Sequence, residues 1–269
     1  MSVADDAPAY EVFAIRYARR DGRRAEHFIG GDPHDGPMPM DYFVWLIRSP
    51  ERAVVVDLGF TEETAARRGR EFLRSPADAL RLFDIDPDAV RDVVLTHLHY
   101  DHVGNLDRFP AAVFHLQEPD LHFAVGRHMR HAHLRHIYEV EDVVGVVRAN
   151  YAGRVRLYDG PVRLAPGITL HPAPGHSPGL QFVQVSTERG MVVLASDVSH
   201  FYENMEAGRP FPACISVTDS LDSYDRLQAA ASSPAHVVPG HDPLVMRRYP
   251  APRPDLDGIA VRLDVPPAE

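Results

Sequence analysis

Short apolar runs broken by turn-forming residues recur along most of the chain, a pattern that predicts strands connected by shorter helical stretches. Residues 42–47 (Tyr-Phe-Val-Trp-Leu-Ile) and 53–57 flank Arg48-Ser49-Pro50-Glu51-Arg52, which predicts a hairpin whose second strand ends at Asp57-Leu58-Gly59. Residues 62–83 have helical composition, interrupted at Ser75-Pro76 where proline can open a second helix, and 86–90 reads as another short helical start. Asp92-Val93-Val94-Leu95-Thr96 is a short buried strand, and Val103-Gly104-Asn105 breaks the pattern after it. Residues 119–150 turn polar and histidine-rich and are expected to form a mainly helical insertion. Beyond it, 155–158, 168–171, 180–186 and 191–196 read as strands, 220–231 as a helix and 235–238 as a last core strand. The proline-rich stretches 32–39 and 250–267 are expected to be extended or mobile, the first with the option of packing against another subunit. Strands in both halves with helices between them imply stacked α/β layers.

Bulk properties narrow the function classes. A chain of 269 residues with 45% hydrophobic content can bury a large core, and it is read as one domain, 1–269, carrying the insertion at about 119–150. Lys+Arg is 28 against 38 Asp+Glu, for a formal charge of -10, and a surface that repels phosphates argues against nucleic acid as a partner. Every basic residue is an arginine, so Schiff-base lysine chemistry and a phosphate-loop lysine are both excluded. Cys214 is the only cysteine, which removes internal disulfides and multi-cysteine metal sites, and its expected role is that of a small buried hydrophobe. Met1 to Asp6 is acidic and shows no signal-peptide pattern, and no apolar run spans a bilayer, so the expectation is a cytoplasmic protein without a membrane partner.

The densest chemistry is His97-Leu98-His99-Tyr100-Asp101-His102, with four metal-capable side chains in six positions at the end of a buried strand. Ends of buried strands are where open α/β folds place their chemistry. Three later segments repeat the logic of a polar residue at a strand end: Pro174-Gly175-His176-Ser177-Pro178-Gly179, Ala195-Ser196-Asp197 and Pro239-Gly240-His241-Asp242. In two of them glycine precedes the histidine and permits a tight turn with close backbone approach. Any one of these residues, taken alone, fits a structural role beside a turn. The insertion adds His122, His128, His131, His133 and His136, of which His128, His131 and His133 share no helical face with the strand-end cluster by spacing. Those five predict a solvated or substrate-facing wall and not a second metal site.

Taken jointly, His97, His99, Asp101 and His102 followed in order by His176, Asp197 and His241 resemble the metallo-β-lactamase fold family with its HxHxDH motif, over roughly residues 42–241. Asp57-Leu58-Gly59 resembles that family's early aspartate-bearing strand end. The resemblance implies a four-layer αβ/βα sandwich. It also implies two divalent metal ions, most compatibly Zn2+: His97, His99 and His176 on one, Asp101, His102 and His241 on the second, and Asp197 bridging. His99 stands where flavin-diiron members carry glutamate, which favours zinc over iron. The implied chemistry is hydrolysis by a hydroxide held between the two ions, with Asp101 helping to manage protons.

Within the family, residues 174–179 and 196–202 are most similar to the N-acyl homoserine lactone lactonases, which implies ring opening of a small-molecule lactone and, with the stretch 32–39, suggests a homodimer. Those lactonases carry a substrate-binding tyrosine three residues after the bridging aspartate. Here that position is His200, with Tyr202 two residues further on, and both are candidate carbonyl donors; Tyr202 equally fits packed core. Cysteine-ligated β-lactamases, glyoxalase-II-like thioesterases and RNA-processing members match less well: Asp197 stands where the first carry cysteine, 250–269 is too short for the second's C-terminal region, and the net charge disfavours the third. Hydrolysis of another lactone or carboxylic ester, such as a pyridoxolactone-like compound, is the alternative, followed by a non-catalytic metal-binding member of the fold.

Overall fold

Alternation along one central strand sets the layering. In the computed structural model, which describes residues 8–268, the chain from Met40 to Ser49 is a strand whose first eight residues are all buried. Its side chains divide by parity: Tyr42, Val44 and Leu46 enter one core, while Phe43, Trp45 and Ile47 enter another. A strand buried on both faces lies between two apolar layers. Truncating Trp45 to alanine there would cost about 3–5 kcal/mol.

The strands are β1 (Glu11–Arg20), β2 (Met40–Ser49), β3 (Arg52–Val56), β4 (Glu71–Phe72), β5 (Asp92–Val94), β6 (Val113–Gln117), β7 (Val155–Tyr158), β8 (Val162–Ala165), β9 (Ile168–Pro172), β10 (Gln181–Thr187), β11 (Gly190–Ser196), β12 (Val237–Pro239) and β13 (Ala260–Arg262). One sheet runs β13-β1-β2-β3-β5-β6-β7, with β4 pairing to β1 off this path, and the second runs β12-β11-β10-β9-β8. The helices are α1 (Glu62–Arg68), α2 (Pro76–Leu80), α3 (Tyr100–Val103), α4 (Glu118–Ala124), α5 (Ala132–Arg135), α6 (Val140–Tyr151), α7 (Tyr202–Glu206), α8 (Val217–Ala230) and α9 (Leu244–Arg248).

The two sheets face each other through Val12, Ala14, Trp45, Val54 and Val56 on one side and Leu170, Val183, Val185, Val192 and Leu194 on the other. On the outer face of the first sheet, α1, α2, α4 and α6 cover Phe13, Ile15, Tyr17 and Val55; α6 presents Val143, Val146 and Ala149 at three-residue spacing. On the outer face of the second, α8 packs Tyr224 and Leu227 against Phe182, Val193 and Ala195. The expected αβ/βα sandwich is therefore present.

The hairpin, the helices within 119–150 and the strands expected after them fall where the polarity pattern puts them, whereas β1, β6 and β8 lie outside the runs it marks. Central β1 is buried on both faces from Val12 to Ile15 and shows no alternation. β6 is disguised by two buried polar side chains that have partners: His115 bonds Tyr158 and Asp92, and Gln117 bonds Gln181 and Gly160. The expectation of an extended or mobile 250–267 is corrected. β13 pairs antiparallel with β1, Leu263 N donates to Val12 O, and Asp264 accepts from Val12 N, so this segment closes the sheet edge. The stretch 32–39 folds back on its own chain, with Asp32 accepting from Arg24 and Arg209 and Met38 O bonded to His27. Residues 1–7, on which the reading of the N-terminus rests, lie outside the described ones. Among the described residues, no helix is long and apolar enough to cross a membrane.

Strand direction gathers the chemistry. β3 and β5 are parallel, as are β11 and β12, and β9 runs with β11 because both are antiparallel to β10. Asp57, the 97–102 turn, His176, Asp197 and His241 each follow the carboxyl end of one of these strands. Such ends are where ligands bind in α/β sheets.

Candidate metal centre

Two groups of four donors meet at those strand ends. His97, His99, His176 and Asp197 form the first, and Asp101, His102, Asp197 and His241 form the second; within each, one ligand atom per residue lies within 4.8 Å of the others. Asp197 belongs to both. Its Oδ2 is 3.2 Å from His176 Nε2 and 3.7 Å from His97 Nε2, while its Oδ1 is 2.9 Å from His241 Nε2 and 3.3 Å from His102 Nε2. Asp101 faces the second group, 3.7 Å from His102 Nε2 and 3.8 Å from His241 Nε2. All seven residues are buried.

Four of the five rings are held from behind so that one nitrogen is fixed on the centre. Nδ1 of His97 bonds Thr96 Oγ1 (3.1 Å), that of His102 bonds Asp57 Oδ2 (2.7 Å), that of His176 bonds Ala213 O (2.5 Å), and that of His241 bonds Asp41 O (2.9 Å). Asp57 also accepts from Thr96 N and Oγ1, so one buried carboxylate ties β3 to the 97–102 turn. Asp57 and Ser196 adopt φ of 60 and 47, left-handed values rare for such residues, at the positions where the chain turns toward the donors. Gly175 has φ +140, and a Cβ there would stand 2.6 Å from Ser220 N; at Gly240 it would stand 2.6 Å from Ser196 O. Glycine before each of these histidines thus allows the close backbone approach expected from sequence.

The donor set fits divalent ions. His99 Nδ1 stands 3.0 Å from His97 Nε2 and 2.8 Å from His176 Nε2, and in tetrahedral coordination at ~2.0–2.1 Å such nitrogens would sit roughly 3.3 Å apart. His102 Nε2 is buried with no hydrogen-bond partner, although it points into the centre. Burial, with neighbouring His102 and His99, holds the His97 pKa well below normal; burial and His176 do the same for His99, so both present lone pairs. In the second group, burial is outweighed by Asp197, Asp57 and Asp101 at His102, and by Asp197 and Asp101 at His241, and both pKa values rise. That half of the centre carries an excess of carboxylate and attracts a cation.

The family model of the metallo-beta-lactamase superfamily matches residues 38–241, the span that carries all of these donors. The chain belongs to the metallo-beta-lactamase superfamily. The N-acyl homoserine lactonase AiiA of Bacillus thuringiensis subsp. kurstaki is 27% identical over 219 residues, covering 74% of this chain and 81% of that one. The crystal structure of a quorum-quenching N-acyl homoserine lactone lactonase superposes with a TM-score of 0.74 at 22% identity, covering 88% of this chain and 95% of that one. AidC, a dizinc quorum-quenching lactonase solved with a product, gives 0.68 at 16% identity, covering 88% and 89%.

Above the centre of this superfamily member opens a cleft of about 350 Å³. Its apolar side includes Leu134, Ile137, Phe211 and Ile215, and its polar side Arg20, Tyr42, Arg70 and Tyr100. His200 lies on the floor, with Nε2 3.1 Å from Asp197 Oδ2 and its ring stacked on Phe211 at 3.7 Å. Burial, against the pull of Asp197, lowers its pKa to about 3, so the ring is neutral. Tyr202 is corrected to a core position: it packs among the residues between the sheets, with Arg248 over its ring at 3.9 Å, and does not line the cleft. The two-residue step from His200 reverses the side chain's direction because α7 begins at Tyr202.

His133 and His136 line the cleft mouth, while His122, His128 and His131 do not, and none of the five joins a donor group. Cys214 is a half-buried part of the cleft wall, not a core hydrophobe. Sequence reasoning passed over Thr96, Asp120, whose Oδ2 accepts from Leu98 N at 2.7 Å, and the cleft arginines. Thr96 was findable as the residue between a strand and its first ligand; Asp120 and the arginines carry no local signal.

Proposed function

We propose that the protein is a metal-dependent hydrolase that opens lactone rings, with N-acyl homoserine lactones as the leading substrate class. The observation that carries this reading is the pair of four-donor groups sharing Asp197 on the floor of the cleft. The matched lactonases add the substrate class. His97, His99, Asp197 and His176 would hold one divalent ion and Asp101, His102, Asp197 and His241 the other, zinc being the best fit to this imidazole-carboxylate set. Such ions supply Lewis acidity, polarising a carbonyl and making water nucleophilic near neutral pH.

The chain's own residues bind, orient and shield. Leu134, Ile137, Phe211 and Ile215 take the apolar parts of the substrate and exclude water. His200, stacked on Phe211 and neutral, has a single N–H; with Asp197 taken up as a metal ligand, that N–H would replace the tyrosine hydroxyl of the related lactonases as hydrogen-bond donor to the substrate carbonyl. Asp101 takes a proton from the attacking water and returns it to the alkoxide oxygen released when the ring C–O bond breaks, giving a hydroxy acid whose new carboxylate leaves by the polar side of the cleft. This reading suits a cytoplasmic enzyme acting on diffusible small molecules, and solution mass tests the homodimer.

The test is to purify the protein, measure bound metal, and follow acid release from short- and long-chain N-acyl homoserine lactones, simple γ-lactones, a linear ester, a thioester and a phosphodiester. Two metal equivalents with lactone turnover are expected. Failure to turn over any lactone or ester after reconstitution with zinc, manganese, iron or cobalt would sink the hydrolase reading.

A further inference from the structure

The polar wall of the cleft holds more hydrogen-bond donors and positive charge than the protein satisfies. Three arginines line it, and they differ in how they are neutralised. Arg68 is paired, with Nε 2.7 Å from Glu139 Oε1 and its guanidinium over the Tyr100 ring at 3.9 Å. Arg70 donates through Nε to Tyr100 Oη at 3.2 Å and through Nη1 to Arg68 O at 2.7 Å, but has no carboxylate partner within ion-pair distance among the described residues. Arg20, whose side chain is 20% exposed, directs Nε and Nη2 at the sulfur of Met40 and reaches Glu26 only at 3.9 Å. A thioether is a weak acceptor for a guanidinium.

Tyrosine chemistry extends the imbalance toward the metal centre. The hydroxyls of Tyr42 and Tyr100 are 3.3 Å apart, and whichever donates to the other, one O–H of the pair has no acceptor between them, because Arg70 is itself a donor. Tyr42 packs edge-on against His241 at 5.2 Å, so this donor group lies one aromatic ring from the second set of metal ligands. Arg20 and Arg70 line the same cleft as Tyr42 and Tyr100, and Arg70 Nε stands 3.2 Å from Tyr100 Oη. Partly buried guanidiniums with no close carboxylate partner are stabilised when a ligand supplies one.

A ligand that satisfies two guanidiniums and a hydroxyl is an acceptor-only anion, and a carboxylate matches the guanidinium fork. We propose that Arg20 and Arg70, with the Tyr42–Tyr100 hydroxyl pair, form a carboxylate subsite that extends the substrates beyond uncharged N-acyl homoserine lactones to lactones bearing a carboxylate beyond the scissile ester. This inference rests on the hydrolase reading for the position of the scissile bond, but the anion subsite can be measured apart from turnover. The subsite would draw such an anion to a protein whose formal charge of -10 otherwise repels it.

The test compares 5-oxotetrahydrofuran-2-carboxylate with its carboxamide, the same lactone with a neutral side group. An acid-over-amide preference in kcat/KM of about tenfold or more is expected, falling severalfold in Arg70→Gln and in Arg20→Gln and partly kept in Arg70→Lys. A second arm measures binding of glutarate and of its monoamide to the metal-loaded protein by calorimetry, with metal content and circular dichroism checked for each variant. Glutarate should bind about tenfold more tightly than the monoamide, with that margin lost in both Gln variants. No preference for the acid in either arm, or a preference that survives both Gln variants, overturns the subsite. If no lactone is turned over but the glutarate margin behaves as expected, the subsite stands and the lactonase reading falls.

Discussion

Histidine is concentrated twice in this chain, at residues 97–102 and at 122–136, with opposite outcomes. In the first stretch all three rings are buried, and two have their outer nitrogen fixed by Thr96 or Asp57, which leaves the inner one aimed at shared space. In the second, the rings bond locally or face solvent: His136 Nδ1 to His133 O, His131 Nε2 from Arg130 Nε, His122 beside Glu118. The difference lies in what stands behind each ring and not in how many rings there are. Burial orients all five candidate donor rings, and in four of them a partner on the far nitrogen also offsets the entropy of orientation.

The sharpest way to break this contrast is at the atom pair both donor groups share. Asp197→Ala removes Oδ1 and Oδ2 together, and should lower lactone turnover roughly a thousandfold or more while reducing occupancy at both ions. Retention of two metals and full activity would show that Asp197 does not bridge. One step out, Asp57→Asn keeps the shape behind His102 but removes the charge. About 10–100-fold weaker binding at the second ion is expected in a chelator titration, with the first ion less affected. Equal weakening of both ions would mean that Asp57 acts through the fold and not through His102. His200→Ala should cost about tenfold in kcat with little change in KM, the signature of a contact made chiefly in the transition state. A change confined to KM would instead make His200 part of the cleft wall.

Legibility in the sequence followed how local each signal is. The donors were readable because each follows a strand of apolar residues and a turn, and their order along the chain carries the family resemblance. The four-layer sandwich followed from that resemblance more than from periodicity, since β1 and β6 are buried on both faces and lack the alternation that betrays a half-exposed strand. β13 hid inside a proline-rich tail because pairing with β1 is a long-range event that composition cannot register. Tyr202 could not be told from His200 by spacing, because the start of α7 between them decides which side chain faces the cleft. The arginines were invisible for a different reason. Arg20 and Arg70 look like ordinary surface residues until β1, β4 and α3 bring them to one wall.

The smallest expected effect tests the other half of the contrast. His122, His128 and His131 line no part of the cleft, and none lies in a four-donor group. The triple variant His122→Asn, His128→Asn, His131→Asn should therefore keep two metal equivalents and turn over lactones within about twofold of the parent. Exposed substitutions such as those at His122 and His131 usually change stability by no more than about 0.5 kcal/mol each, and His128 is half-buried. The ring of His128 stacks on Phe123 at 5.4 Å, so what small loss there is should come from that position and appear as a lower Tm, not as a lower metal content. If the triple variant instead lost a metal equivalent, an exposed cluster with no fixed far nitrogen would be feeding or holding an ion. Burial and orientation would then not be what separates the two stretches.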